Sequence, residues 1–439
     1  MSHAAKAYFY SDRGLFMLKY FRDLTHTAGK YLVTFFKWLI IASVLGAVCG
    51  LTGAAFHAAI DAVTLFRGGH TWIIWLLPLG GIVIVLLYSV TKQNGIGTPT
   101  VIDAVLHKGR IPPMMAPVIF IATTLTHLLG GSAGREGAAL QIGGSLGSLC
   151  AVTLRLKPSD RRITILCGMA AVFTALFGTP VGAALFVLEV SDVGAICYSA
   201  LVPCVIASGT AYAVTRVLHI EPTRFTVLMP ELSLGLMGKV AVLAMLCALL
   251  SVVICTSLRF SEQHMSRWIK NPMLRAAVGG AAIIALTYAL GTTAYNGAGE
   301  PVFRQALEQG KCAQSAFALK LLFTVITLSC GFKGGEVVPT FFMGAAFGCV
   351  IGPLLGLPAG FAAAIGLAAT FCGATNCPLA TLLLSAELFG GGRLETFAAA
   401  CAISYLFSGY SSLYPNQMFL YSKVDAELMG EEKDESSER

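Results

Sequence analysis

Charge is what this sequence has least of. Of its 439 residues only 12% are Asp, Glu, Lys or Arg, about half of the ~25% usual for a soluble domain. Acids are especially sparse along the body: seven of the 23 fall within residues 425–439, which leaves sixteen for the preceding 424. Clustered bases interleaved with aromatics on a soluble face, which a nucleic-acid binder needs, are missing. No two of the thirteen cysteines form a CxxC pair, which argues against a metal site and against a disulfide framework. Proline-rich repeats and low hydrophobicity are also absent, and collagen-like and disordered chains go with them.

What remains is apolar. Hydrophobic residues make up 56% of the chain, and there are 47 glycines. Apolar windows near 32–60, 72–91, 115–130, 163–190, 195–217, 233–258, 276–291, 315–330, 338–357, 359–389 and 396–410 follow one another with short links. A membrane-crossing helix needs about 20 apolar residues, and several windows are long enough for a helical hairpin. The expected class is an all-α polytopic membrane protein with a dozen or more helical segments. Gly and Pro break many of them, which lipid tolerates only where the freed backbone is buried or lines a cavity.

The mixed stretch before the first apolar window, with Lys6, Arg13, Lys19, Arg22 and Lys30, does not read as a secretory signal. Lys19, Arg22, Lys30 and Lys37 form one basic cluster, Arg155, Lys157, Arg161 and Arg162 a second, and Arg259, Arg267, Lys270 and Arg275 a third. The positive-inside rule puts all three on the cytoplasmic side of a plasma membrane, both termini included. Residues 1–31 are expected as a cytoplasmic segment, 32–217 and 218–422 as two membrane repeats, and 423–439 as an acidic cytoplasmic tail.

The repeats rest on an internal match. Residues 168–189 align without a gap on 366–387, an offset of 198 that superposes Gly168 on Gly366, Pro180 on Pro378 and Glu189 on Glu387. At that offset Arg135 meets Lys333 and Gly137 meets Gly335. Twofold internal repeats are a transporter signature.

Two glycine-rich stretches carry the chemistry. GGSAGREGAALQIGGSLGS (130–148) leads into an apolar helix and exposes the free N–H groups of its first turn, a place for an anion. Arg135 and Glu136 sit there amid uncharged residues, and ionisable groups at membrane depth mark ion pathways; the alternative is an Arg–Glu pair that holds the loop. GFKGGEVVPTFFMG (331–344) repeats the pattern with Lys333 and Glu336, where Glu336 is either a functional acid or a cap on its own helix. Glu189 and Glu387 are either proton carriers or structural helix-end residues. GGSAG and GGSLG also match a nucleophile elbow, a reading that wants a strand-to-helix turn rather than an all-helical setting. The spacing of Gly344, Gly348, Gly352 and Gly356 points to close helix packing.

At GREGAALQIGG the sequence resembles the CLC family of chloride channels and proton-coupled anion antiporters, with a match from about residue 35 to 420. NGIGTP, with Gly95, Ile96 and Gly97, stands at the family's first anion signature, GREGA at the second, GGEVVP at the third, and Tyr414 at the tyrosine of the last helix. The resemblance implies a CLC-type fold of two inverted-topology repeats, a homodimer in the lipid bilayer, and one pathway per subunit for an inorganic anion, fluoride or chloride, and protons. It implies transport rather than catalysis, no cofactor and no nucleic-acid partner. Anion contacts would come from Gly95, Ile96, Gly97, Gly134, Arg135, Gly137, Ala138, Gly335, Val337, Val338 and Tyr414, and gating and proton transfer from Glu136 and Glu336. Ile96 replaces a serine, Val190 replaces an internal proton-transfer glutamate, and Glu336 follows paired glycines, a combination similar to the fluoride-exporting branch. Val338 stands where that branch has threonine.

Overall fold

The computed structural model describes residues 3–425, with side chains from Gly29 onward. Most of the acidic tail lies outside the described residues, as do the side chains of Lys6, Arg13, Lys19 and Arg22. Sixteen α-helices account for about three-quarters of the described chain. The first eight are α1 (His3–Gly69), α2 (Leu77–Val90), α3 (Thr98–Leu106), α4 (Met115–Leu129), α5 (Glu136–Thr153), α6 (Pro158–Phe177), α7 (Pro180–Glu189) and α8 (Leu201–Val217). The second eight are α9 (Leu234–Trp268), α10 (Pro272–Leu290), α11 (Glu300–Gln309), α12 (Ala316–Ser329), α13 (Val337–Leu354), α14 (Ala359–Thr375), α15 (Pro378–Phe389) and α16 (Leu394–Phe407). Six spans are long and apolar enough to cross a bilayer, among them Gly29–Gly69, Leu234–Trp268 and Pro272–Leu290, and six more apolar helices are too short to cross alone. Short helices that stop within the apolar body are the broken helices expected from the Gly and Pro pattern.

The break points have local causes. Proline stands at the start of α6, α7, α10 and α15, where its missing N–H costs nothing. The long window 163–190 divides at Gly178, whose φ of +69° ends α6 in the left-handed conformation that glycine adopts freely. At the equivalent place Asn376, with φ +59°, ends α14.

The two sets of eight are related by a local twofold, because contacts between them are reciprocal. Glu189 at the end of α7 accepts hydrogen bonds from the N–H groups of Leu379 (3.2 Å) and Ala380 (2.8 Å) in the first turn of α15. Glu387 on α15 accepts from Val181 (3.0 Å) and Gly182 (2.8 Å) in the first turn of α7. Each carboxylate caps the other helix, so both acids have the structural role, satisfying first-turn N–H groups that lack an intrahelical partner.

The same symmetry corrects one sequence expectation. Gly134 pairs with Gly335 in an antiparallel bridge, an offset of 201 rather than 198, so Arg135 is equivalent to Glu336 and Glu136 to Val337. The three-residue difference arises because α6 has 20 residues and α14 has 17. The extra residues lie at the start of α6, and the offset of 198 holds from Thr164, which meets Gly147 as Ala362 meets Gly348.

Glycine stripes set how closely these helices approach. A Cβ on Gly143 would lie 2.2 Å from the carbonyl oxygen of Gly168, and one on Gly348 would lie 2.1 Å from that of Ala362. These contacts pack α5 on α6 and α13 on α14, as the glycine spacing implies. Backbone cannot yield as a side chain can, so Gly348→Ala is expected to cost about 1–3 kcal/mol and to lower the thermal midpoint in detergent. Gly238, with nothing within 4 Å of its Cβ position, is the matched control as Gly238→Ala.

Candidate anion site

Three loop-to-helix turns and one tyrosine converge where α5 meets α13. At their centre the bridge joins the halves: the Gly134 N–H donates to the Gly335 carbonyl and the Gly335 N–H to the Gly134 carbonyl, both at 2.8 Å. Only glycine fits on the α13 side, since a Cβ on Gly335 would lie 2.4 Å from the Gly137 nitrogen.

Glu136, 0% exposed, folds back over this junction. Its Oε2 accepts from the N–H of Arg135 (3.0 Å) and the N–H of Val338 (3.3 Å), so the starts of α5 and α13 hold one carboxylate between them. Its Oε1 is buried with no partner among the described residues. A carboxyl oxygen thus already occupies the place that two helix N-termini prepare for an anion.

The Arg135 side chain turns away. Its guanidinium contacts His57 Nδ1 at 2.9 Å and Asp61 Oδ1 at 3.1 Å, both on α1. The pair expected within the loop is therefore replaced by one with Asp61, and only the Arg135 backbone N–H touches Glu136. Glu336 does not cap its own helix: its Oε2 is buried without a partner, and no side-chain cap bond forms.

The expected anion contacts divide into two groups. Gly134 and Gly335 are bonded to each other, the Val338 N–H is held by Glu136, the Ile96 N–H donates to Gln93, and the Gly97 N–H donates to Thr100 Oγ1. The N–H groups of Gly137, Ala138 and Val337, in first helical turns, have no partner among the described residues. Gly95, at φ +76°, turns the chain into α3.

Tyr414 is placed by its neighbours. Gln417 Nε2 donates to the carbonyls of Val190 (2.9 Å) and Thr375 (2.7 Å), while its Oε1 accepts from Ser412 Oγ (2.7 Å). Ser412 Oγ in turn accepts from the Tyr414 N–H at 3.0 Å. The tyrosine is 1% exposed, and its hydroxyl has no partner among the described residues.

Two cavities approach the junction. One, of about 500 Å³, is lined by Asp61, Arg67, His127, Arg135, Asn296 and Val338 among others. The other, of about 180 Å³, is lined by Ile96, Thr98, Gln141, Lys333, Glu336 and Tyr414 among others. Glu136 lines neither. Its carboxylate is bonded to Val338 on the wall of the first cavity, and the next residue, Gly137, faces Glu336 on the wall of the second.

One contributor escaped sequence reasoning. Lys320 on α12 is fully buried, and its Nζ donates to Ser132 Oγ (2.9 Å), the Gly297 carbonyl (2.7 Å) and the Tyr295 carbonyl (3.2 Å). It pins the 130–135 loop from behind. Its signal was a lone lysine within AFALKLLFTVITLS, the kind of intramembrane charge that marks a site. Ser132, the serine of GGSAG, has 0% exposure and is hydrogen-bonded to Lys320 and Thr324, on a loop that no strand precedes among the described residues.

Comparisons with known proteins agree with this architecture. The family model for voltage gated chloride channels matches residues 80–409. A chloride/fluoride channel protein of Pseudomonas syringae pv. tomato is 36% identical over 397 residues, 88% of this chain and 87% of its own. The H(+)/Cl(-) exchange transporter ClcA of Salmonella arizonae is 26% identical over 388 residues, 80% of each chain. Among solved structures, a CLC-type fluoride/proton antiporter superposes with a TM-score of 0.84 at 30% identity, covering 88% of this chain and 98% of that one. A slow cyanobacterial Cl-/H+ antiporter, 18% identical with a TM-score of 0.74 over 84% of this chain and 94% of its own, shares the fold. With its paired eight-helix sets and two helix starts clasping one carboxylate, this polytopic membrane protein is an anion transporter of the CLC family.

Proposed function

We propose that the protein is a proton-coupled antiporter that exports fluoride from a bacterial cytoplasm across the plasma membrane. One observation carries the reading: the Glu136 carboxylate stands between two cavities, held by N–H groups from both helix starts. A carboxylate in that position is a tethered surrogate anion. Protonated, it loses its charge-assisted bonds and swings clear, and an anion takes its place, so that one proton moves against anion flow.

Glu336 is the second acid. It lines the smaller cavity, one residue beyond the bridge, and takes over the proton role that Val190 cannot fill. Fluoride is a strong hydrogen-bond acceptor and the conjugate base of a weak acid, so a protonated Glu336 can donate to it directly. Gly137, Ala138, Val337 and Tyr414 supply the remaining donors, and Gly95, Ile96, Gly97 and Val338 shape the passage. Arg135 serves at the mouth of the larger cavity. The basic loops near 155–162 and 259–275 face the cytoplasm, which makes the smaller cavity the inner one and puts both termini inside. Residues 32–217 and 218–422 form the two repeats, and the working unit is a homodimer.

The test is efflux from proteoliposomes loaded with fluoride or chloride, with external pH recorded. Fluoride should leave at least about tenfold faster than chloride, a difference of ~1.4 kcal/mol in barrier, with protons moving in exchange. Glu336→Gln should lower the proton-coupled exchange by a similar factor. Equal rates for the two anions would favour a chloride-handling antiporter, and anion flux with no proton movement a passive channel.

A further inference from the structure

Ile96 leaves the first signature without a hydroxyl, but the inner cavity is lined by others, those of Thr98, Ser329, Ser412 and Tyr414. Thr98 opens α3 two residues later, is 5% exposed, and lines that cavity beside Glu336 and Tyr414. Gln141, five residues beyond Glu136 on α5, reaches across to it. Its Nε2 donates to Thr98 Oγ1 at 3.1 Å, while its Oε1 is buried with no partner among the described residues.

Counting hydrogens shows why the pair matters. The hydroxyl and the amide carry three polar hydrogens between them, and their mutual bond uses one. Exchanging the amide O and N changes which group donates but not the count. A fully paired buried hydroxyl would be structural; here donor capacity is left over at the edge of a cavity, which is unusual in an apolar interior. The place is specific. A Cβ built on Gly137 would lie 3.4 Å from Thr98 Oγ1 and 3.5 Å from Glu336 Oε2. The threonine hydroxyl and the Glu336 carboxyl therefore border one spot against Gly137, whose N–H is also unpartnered.

We infer that Thr98, oriented by Gln141, donates the side-chain hydrogen bond to the transported anion that Ile96 cannot, and so helps to set anion selectivity. The inference rests on the proposed pathway through this junction. With Gln141 donating to its oxygen, the Thr98 hydroxyl is polarised and its hydrogen is directed outward. A small, strongly accepting anion gains most from such a donor, and a large, weakly accepting one gains least.

The experiment measures initial fluoride and chloride efflux from proteoliposomes for wild type, Thr98→Val, Thr98→Ser and Gln141→Met. Valine keeps the shape of threonine and removes the hydroxyl. Thr98→Val should slow fluoride by about tenfold or more, the effect of removing one hydrogen bond to a charged group, with a smaller change for chloride, so that the ratio of the two rates falls. Thr98→Ser should restore the wild-type ratio, and Gln141→Met should fall between. An unchanged ratio in Thr98→Val overturns the inference, as does Thr98→Ser matching Thr98→Val, which would assign the position to packing. If Thr98→Val fails to yield folded protein, Gln141→Met decides by the same ratio. Wild type that moves neither anion refutes the pathway and the inference together, whereas active wild type with indifferent variants refutes the inference alone.

Discussion

Glu136→Gln should yield a folded transporter that moves anions without moving protons. The amide has the volume of the acid, and its oxygen can still accept from the Arg135 and Val338 N–H groups that now hold Oε2. What disappears is the ability to gain and release a proton. The two bonds also become neutral, and neutral bonds are roughly half as strong as charge-assisted ones, so the side chain is held less firmly and an uncoupled leak persists. A positioned acid–base group contributes about 10²–10⁴-fold to proton transfer. Proton uptake driven by an anion gradient should accordingly drop by at least about 100-fold, to background on an external pH trace, while anion efflux continues. Wild-type proton pumping in Glu136→Gln would remove this residue from the coupling step.

Gly335→Ala should abolish transport while affecting a residue that bears no functional group. The added methyl would sit 2.4 Å from the Gly137 nitrogen, 3.0 Å from the Glu136 nitrogen and 3.3 Å from Glu136 Oε2. The two nearest obstacles are backbone, so the bridge must open. Its two hydrogen bonds are buried, and each group left unsatisfied costs about 1–3 kcal/mol. The same displacement spreads the helix starts that hold Glu136. Fluoride efflux should fall at least about 100-fold, since small misplacements at a reacting centre have effects of that size, together with a lower thermal midpoint in detergent. Normal flux in Gly335→Ala would mean that ions do not pass this junction.

Sequence reasoning reached some of these residues because their signals are local. Glu136 stands out as an acid in an uncharged glycine run, and the 163–190 window is long enough for the helical hairpin that α6 and α7 form. Other features depend on distant partners. The Arg135 guanidinium meets Asp61, 74 residues earlier, and nothing in GREG indicates whether that side chain turns toward its neighbour or toward α1. Thr98 and Gln141 are 43 residues apart and meet only because α3 packs on α5. The repeat register was misread for a physical reason as well. The strongest matches lie after Gly168, beyond the three extra residues of α6, so an offset true there was carried back across the insertion. Apolar windows do not mark helix ends: α9 runs past the 233–258 window to Trp268, because the polar turn carrying Arg259 and Glu262 remains helical.

The bridge and the reciprocal caps also constrain how the machine can move. Gly134 and Gly335 fasten the two helix starts at the centre, and Glu189 and Glu387 fasten α7 to α15. A rocker-switch cycle, in which one half tilts against the other, would have to break all six of those hydrogen bonds on every turnover. On the mechanism proposed above, the frame is riveted and the moving part is the Glu136 side chain. Transport on that proposal works as a latch inside a rigid housing, so covalently tying the two halves together should leave the turnover rate where it was.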